Sequence, residues 1–333
     1  MDTYLKKAIE AGDTEKFDAL AKDFASFPQE DKESLLADVV SCAPNTAFLQ
    51  HAMDWCPDYR PNVHEGWTLL HHAAHNPNPE ITKFFLEKGF DIESRNEQGN
   101  TSAHYAAGFN RNPDVVRLFL ERGFDTESRG KDGFTLLMMA AFYQGNAEVI
   151  DMLVKKGADI LAKDDAGNNL LHIAAGNIRD ASDIVRYLLS KFKTSDSKMR
   201  NKVIFGACVN SNHEILKTLI NEGYEIDITN LNGVTPLMVA ALYNPNPAFI
   251  AAVFDSHAAW NAESKNGRNV LHYAAANNRN LIYEWLLGIN EFYESTFGHP
   301  PLEDDDIKRL AAKKDANGHE PAYYREHKDE FWQ

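Results

Sequence analysis

The chain has 333 residues, and 34 basic against 49 acidic side chains leave a formal net charge of −15. That balance opposes nucleic-acid phosphates and anionic lipid surfaces, so a neutral or basic protein partner is the easier match. No apolar run reaches the roughly 18 residues of a membrane span, and Met1 to Lys7 leads onward without a secretory apolar region. A cytoplasmic protein is expected, with export by a non-classical signal left open.

In chain order, residues 1–24 place Leu5, Ala8, Ile9, Gly12, Glu15 and Phe17 in a helical pattern with a polar outer side, as a terminal cap requires. Residues 25–65 form a fainter copy around Val39-Val40. From Gly66 onward a glycine recurs at 99, 133, 167, 233 and 267, in steps of 33, 34, 34, 66 and 34 residues. The 66 is a doubled 33 across a degenerate copy. The units are therefore 66–98, 99–132, 133–166, 167–201, 202–232 and 233–266, followed by 267–317 and a C-terminal cap, 318–333. Gly318 lies 51 residues beyond Gly267, so the last full unit carries an insertion between Ile289 and Ile307.

Each unit repeats one local grammar. Thr68, Thr101, Thr135, Asn169, Thr235 or Asn269, two residues after the glycine, can accept from the orphan N–H groups of a helix start. A small pair follows: Ala73-Ala74, Ala106-Ala107, Ala140-Ala141, Ala174-Ala175, Ala240-Ala241, Ala274-Ala275, and Ala207-Cys208 in the degenerate copy. Asn78-Pro79, Asn112-Pro113 and Asn246-Pro247 cap and open a second helix. Its apolar face ends at Lys88-Gly89, Arg122-Gly123, Lys156-Gly157 or Glu222-Gly223, where glycine takes the left-handed exit. Stretches such as Phe90 to Ser94 and Ala158 to Ala162 are expected to extend into projecting loops or hairpins. Helices this short are marginal alone, so each unit must bury its face against its neighbours.

These residues resemble the ankyrin repeat, whose pattern joins G-x-T-P-L-H-x-A-A to a second helix and a glycine exit. The motif proline survives at Pro236 and its histidine at His71, His104, His172 and His272, with Met138 and Met238 elsewhere. The NPNP turns at 76–79 and 244–247 are similar to those of bacterial ankyrin arrays. The resemblance implies an all-α solenoid of stacked helix-turn-helix units, one continuous array over 1–333. It also implies a groove that binds protein. The positions that line that groove are Trp67, Phe134 and Val234 after the glycine, and His75, Asn76, Phe109, Phe142, Tyr143, Asn177, Val209, Asn210, Leu242, Tyr243 and Asn277 after the small pair. Trp67, Phe134, Phe142, Tyr143 and Tyr243 are the expected anchors, since buried aromatics carry most interface energy.

Chemistry of other kinds finds no foothold. His71, His72 and His75 are close in sequence but lack the glutamate of a zinc-protease helix, and His71 is expected to support its turn. Glu303 to Asp306 lacks the spaced ligands of a calcium loop and reads as a solvated helix start. Cys42, Cys56 and Cys208 are scattered and odd in number, so no disulfide framework is implied. There is no phosphate-cradling glycine loop and no nucleophile elbow. No catalytic residue, cofactor or metal is assigned. The expected role is a protein–protein interaction module, monomeric on its own. Its partner could be a toxin or enzyme held inactive, a host protein met by an exported effector, or a member of a scaffold. An enzyme built from the C-terminal stretch is disfavoured, because Phe292, Tyr293, Phe297, Tyr323, Tyr324, Phe331 and Trp332 are better used to seal the last unit.

Overall fold

A computed structural model describes residues 3–22, 26, 28–56, 65–144, 146–176, 182–191, 197–210, 212–256, 258–277, 281–297 and 300–332. Backbone contacts divide the chain into two units, Met1–Leu170 and Leu171–Gln333.

The first unit opens with α1 (Thr3–Ala11) and α2 (Thr14–Ala21), and continues with α3 (Gln29–Cys42) and α4 (Thr46–Met53). Three further pairs follow: α5 (Leu69–Ala73) with α6 (Pro79–Glu87), α7 (Ser102–Phe109) with α8 (Pro113–Glu121), and α9 (Leu136–Met139) with α10 (Ala147–Lys155). Inner helices α3, α5, α7 and α9 contact one another in succession, and so do outer helices α4, α6, α8 and α10. The result is two layers, each stacked from its sequence neighbours. The small pairs make that approach possible: Ala73-Ala74, Ala106-Ala107 and Ala140-Ala141 are fully buried, and the degenerate Val39-Val40 is buried in the same way.

The second unit repeats the scheme. After α11 (Leu170–Ala175), which begins at the division, come α12 (Ser182–Lys191), α13 (Ser197–Val209), α14 (His213–Asn221), α15 (Pro236–Tyr243), α16 (Pro247–Asp255), α17 (Val270–Ala276) and α18 (Leu281–Leu287). Inner helices α13, α15 and α17 stack in order, as do outer helices α12, α14, α16 and α18. The expected insertion is helical: α19 (Ile289–Phe297) is followed by α20 (Asp304–Ala312). Asp304, Asp305 and Asp306 form the first turn of α20, at the end of the dipole that favours anions.

The sequence grammar has direct physical counterparts. The Thr68 hydroxyl accepts from the His71 N–H, and Asn78, Asn112 and Asn246 accept from the amide two residues on, with proline at the first helical position. Gly133 has a φ of 75°, and a Cβ there would lie 2.9 Å from the Asp165 backbone nitrogen, so glycine is required at the turn. The stretches after the exit glycines do not extend, however. Asp91 and Asp159 accept from Glu93 N–H and Leu161 N–H and curl the chain into tight turns. Among the described residues no strand forms, only the isolated bridges Arg95 to Thr101 and Lys163 to Asn169.

Adjacent repeats are also stapled by a buried amide. Asn76 donates to the carbonyls of Val40 and Ala43, both at 2.9 Å, and its oxygen accepts from Asn78 N–H. Asn110 does the same to Ala74 and Asn76, each at 2.8 Å, and accepts from Asn112 N–H. In the second unit Asn210 reaches Ala175, Asn244 reaches Asn210, and Asn277 reaches Ala241 and Asn244. Truncating one of these amides strands buried carbonyls. Asn110→Ala is expected to destabilise the first unit by about 1–3 kcal/mol in urea unfolding; a change within about 0.5 kcal/mol, the range of ordinary surface substitutions, would contradict the staple.

Candidate functional site

Three of the motif histidines, His71, His104 and His272, are structural. The His71 ring sits 2.8 Å from the Thr68 hydroxyl through Nδ1, and Nε2 donates to the Asn100 carbonyl at 3.1 Å. His104 repeats this with Thr101 at 2.8 Å and Ser128 at 3.0 Å, and His272 with Asn269 at 2.9 Å and His319 at 3.1 Å. Each ring thus ties one repeat's helix start to the next repeat's turn. Burial pushes His71 and His104 down to about 4, against the partial support of their carbonyl partners, and lowers His272 as well. Neither nitrogen of His71 is left for a metal.

The surface positions fare differently. In the first unit, inner helices and turns bring Trp67, His75, Phe109, Phe134, Phe142 and Tyr143 into one connected set of rings. Trp67 lies over His75 with centroids 5.8 Å apart and nearly parallel planes, and His75 is 5.7 Å from Phe109. Phe109 meets Tyr143 of the following repeat at 4.4 Å; Tyr143 meets Phe142 at 4.8 Å, and Phe142 meets Phe134 at 5.7 Å. Phe109 and Phe142 keep 40% and 39% of their surface in solvent. A π-helical turn at Ala140–Gln144 follows α9 and carries both Phe142 and Tyr143. A cleft of about 150 Å³ opens beside these rings, with Asn100, Lys131, Asp132 and Met139 also on its walls.

One member of the cluster escaped the sequence. Tyr105, buried at 5% exposure, lies 4.4 Å from Trp67 and 5.8 Å from Phe109 and joins the two. It stands four residues before Phe109 on α7, and that helical spacing was the available signal.

Three expected surface residues are corrected. Asn76, Asn210 and Asn277 are buried, and their amides donate to backbone carbonyls of the preceding repeat, so these side chains are not part of the open surface. Asn177 lies outside the described residues.

In the second unit Val209, Val234, Leu242 and Tyr243 all keep some exposure, Tyr243 the most at 50%. Val234, Leu242 and Tyr243 line a wider cleft of about 480 Å³ whose far wall is Phe331 and Trp332 of the C-terminal tail. That tail is fixed by a residue the sequence did not single out. Arg268 is buried, its Nε 3.0 Å from the Asp315 carboxylate and its Nη2 2.9 Å from the Tyr324 hydroxyl, and it also donates to the Phe331 carbonyl. Its guanidinium lies over the Tyr324 and Phe331 rings at 4.9 and 4.5 Å. Burial alone would raise Asp315; donors from Tyr324, Arg268, His319 and Asn317 overcome it and hold the carboxyl down at about 2.

Stacked helix pairs, periodic turns and a ring-lined surface define a helical-repeat scaffold. Comparison with known proteins names the class. A family model described as ankyrin repeats in three copies matches residues 39–130, 109–201 and 204–295. The chain belongs to the ankyrin repeat family. Among solved structures, the human ASB11 ankyrin repeat domain is similar, with a TM-score of 0.52 and 21% identity over 65% of this chain and 94% of that one. No curated protein matches the sequence. Ankyrin repeats are protein–protein interaction modules, and among the described residues no helix is long and apolar enough to cross a membrane.

Proposed function

We propose that this chain is a non-enzymatic recognition module whose first unit docks a folded protein on the ring cluster from Trp67 to Phe142. The observation that carries this reading is the half-open state of Phe109 and Phe142 within an otherwise interlocked set of rings. A lone exposed apolar side chain needs no explanation, but contiguous aromatic surface is what interface anchors are before binding. The rings are already braced against one another, so little side-chain freedom is lost on docking and more of the contact energy appears as affinity.

Photo-crosslinking in cells that express the protein tests the placement. A benzophenone amino acid at position 142 is expected to trap a discrete protein adduct, whereas the same group at Glu121, exposed on the outer helix α8, is not. Equal trapping at both sites, or trapping at Glu121 alone, would contradict it. An inhibitor of a toxin or enzyme, an exported effector and a scaffold component all use such a surface, and the identity of the trapped protein separates them.

A further inference from the structure

Resting on that reading, we propose that the 150 Å³ cleft of the first unit receives a cationic side chain of the partner, arginine or lysine, against the faces of Phe134, Phe142 and Tyr143 with Asp132 as the counter-charge. The rings are set for it. Phe134 and Phe142 meet edge to face at 84° and Phe142 and Tyr143 at 89°, and all three rings line the cleft. Ring faces are the negative side of the aromatic quadrupole, and a cation near them is held more strongly once water is excluded.

Charge supports the same guest. Asp132 lines the cleft, its backbone held at a φ of 57° with its carbonyl accepting from Asp165 N–H. Its carboxylate is near enough to add to the rise that burial and Tyr105 impose on the Tyr143 phenol. The chain's net charge of −15 draws cationic surfaces from a distance. Lys131 is the opposing group on the rim: its backbone N–H is tied to the Asn100 side chain while its own side chain is exposed. It repels the guest, so removing it must strengthen binding. An aliphatic guest would fill the same cleft and ignore Asp132 and Lys131 alike.

Met139 lines the cleft and supplies the probe. With methyl-labelled methionine in the full chain, the peptide acetyl-Gly-Gly-Arg-Gly-Gly-amide is titrated beside its citrulline counterpart, which keeps the shape and loses the charge. A saturable shift of the Met139 methyl signal is expected, at least 5-fold weaker for citrulline, at least 5-fold weaker in Phe142→Leu, about 3-fold weaker in Asp132→Asn and about 2-fold tighter in Lys131→Gln. Phe142→Leu keeps apolar bulk at a part-exposed site, and an unchanged melting temperature confirms its fold. Equal affinity for the two peptides, or no saturable shift at Met139, overturns the proposal. In that event a crosslinked adduct at position 142 would leave the docking surface standing and remove only the cation, whereas loss of the adduct would remove both.

Discussion

Replacing Arg268 with methionine should destabilise the second unit by about 3–5 kcal/mol, because it leaves a buried charge without its partner. The guanidinium and the Asp315 carboxylate are both nearly sealed from solvent, at 6% and 1% side-chain exposure. Methionine fills much of the volume but leaves the carboxylate buried with its hydroxyl and backbone donors alone, and strands the Phe331 carbonyl. Amide exchange should quicken first in residues 313–332, because repeat units lose stability locally rather than all at once. Adding Asp315→Asn removes the uncompensated charge while its carbonyl oxygen can still accept from Asn317 and His319. The double variant should therefore be more stable than Arg268→Met alone. If the two losses simply added, the buried pair would not be the tie between tail and array.

Acid should unfold the first unit through its motif histidines. His71 and His104 are fully buried, and burial lowers both to about 4 from an ordinary 6.5. A depressed histidine is neutral when folded and takes up a proton more readily when unfolded, so the unfolded state binds more protons between these two values. Stability is then complete above about pH 6.5 and falls as pH drops toward 4, each ring contributing a loss of roughly 2–3 kcal/mol by pH 4.5. The array contains its own control, since Met138 and Met238 occupy the same motif position. His104→Met should cost about 1 kcal/mol at pH 7 through the lost bond to Ser128, yet flatten the acid limb of the curve. Urea midpoints from pH 7.5 to 4.5 read both effects. An unchanged acid limb in His104→Met would show that the ring is not the sensor.

Much of the scaffold was legible because it is periodic. Glycines at fixed steps, paired alanines and Asn-Pro starts each report a local conformation with few alternatives, and repetition multiplies a weak signal. Even Val39-Val40 and Ala207-Cys208, poor matches on their own, were placed by register and are buried like the rest. Direction was harder. Asn76, Asn210 and Asn277 follow the small pairs, where a polar residue looks like surface; the chain turns there and aims the amide backward into the preceding repeat. Their recurrence as the same amide was the clue, because a groove shaped for one partner has no reason to repeat one side chain along its length. Arg268 was invisible for the opposite reason. It departs from the array, and its partners Asp315, Tyr324 and Phe331 lie 47 to 63 residues away. Phe109, Phe134, Phe142 and Tyr143 were nominated by position, but their mutual angles, and the cleft they line, come only from packing.

The ring cluster as a docking surface is best tested by the affinity of the protein trapped at position 142. Calorimetric titration against the full chain and a Phe109→Ala/Phe142→Ala variant, run well below the variant's lowered melting temperature, should show a loss of about 30-fold or more, corresponding to about 2 kcal/mol for anchor residues. Equal affinity for the two would place the partner elsewhere and end the account of this surface.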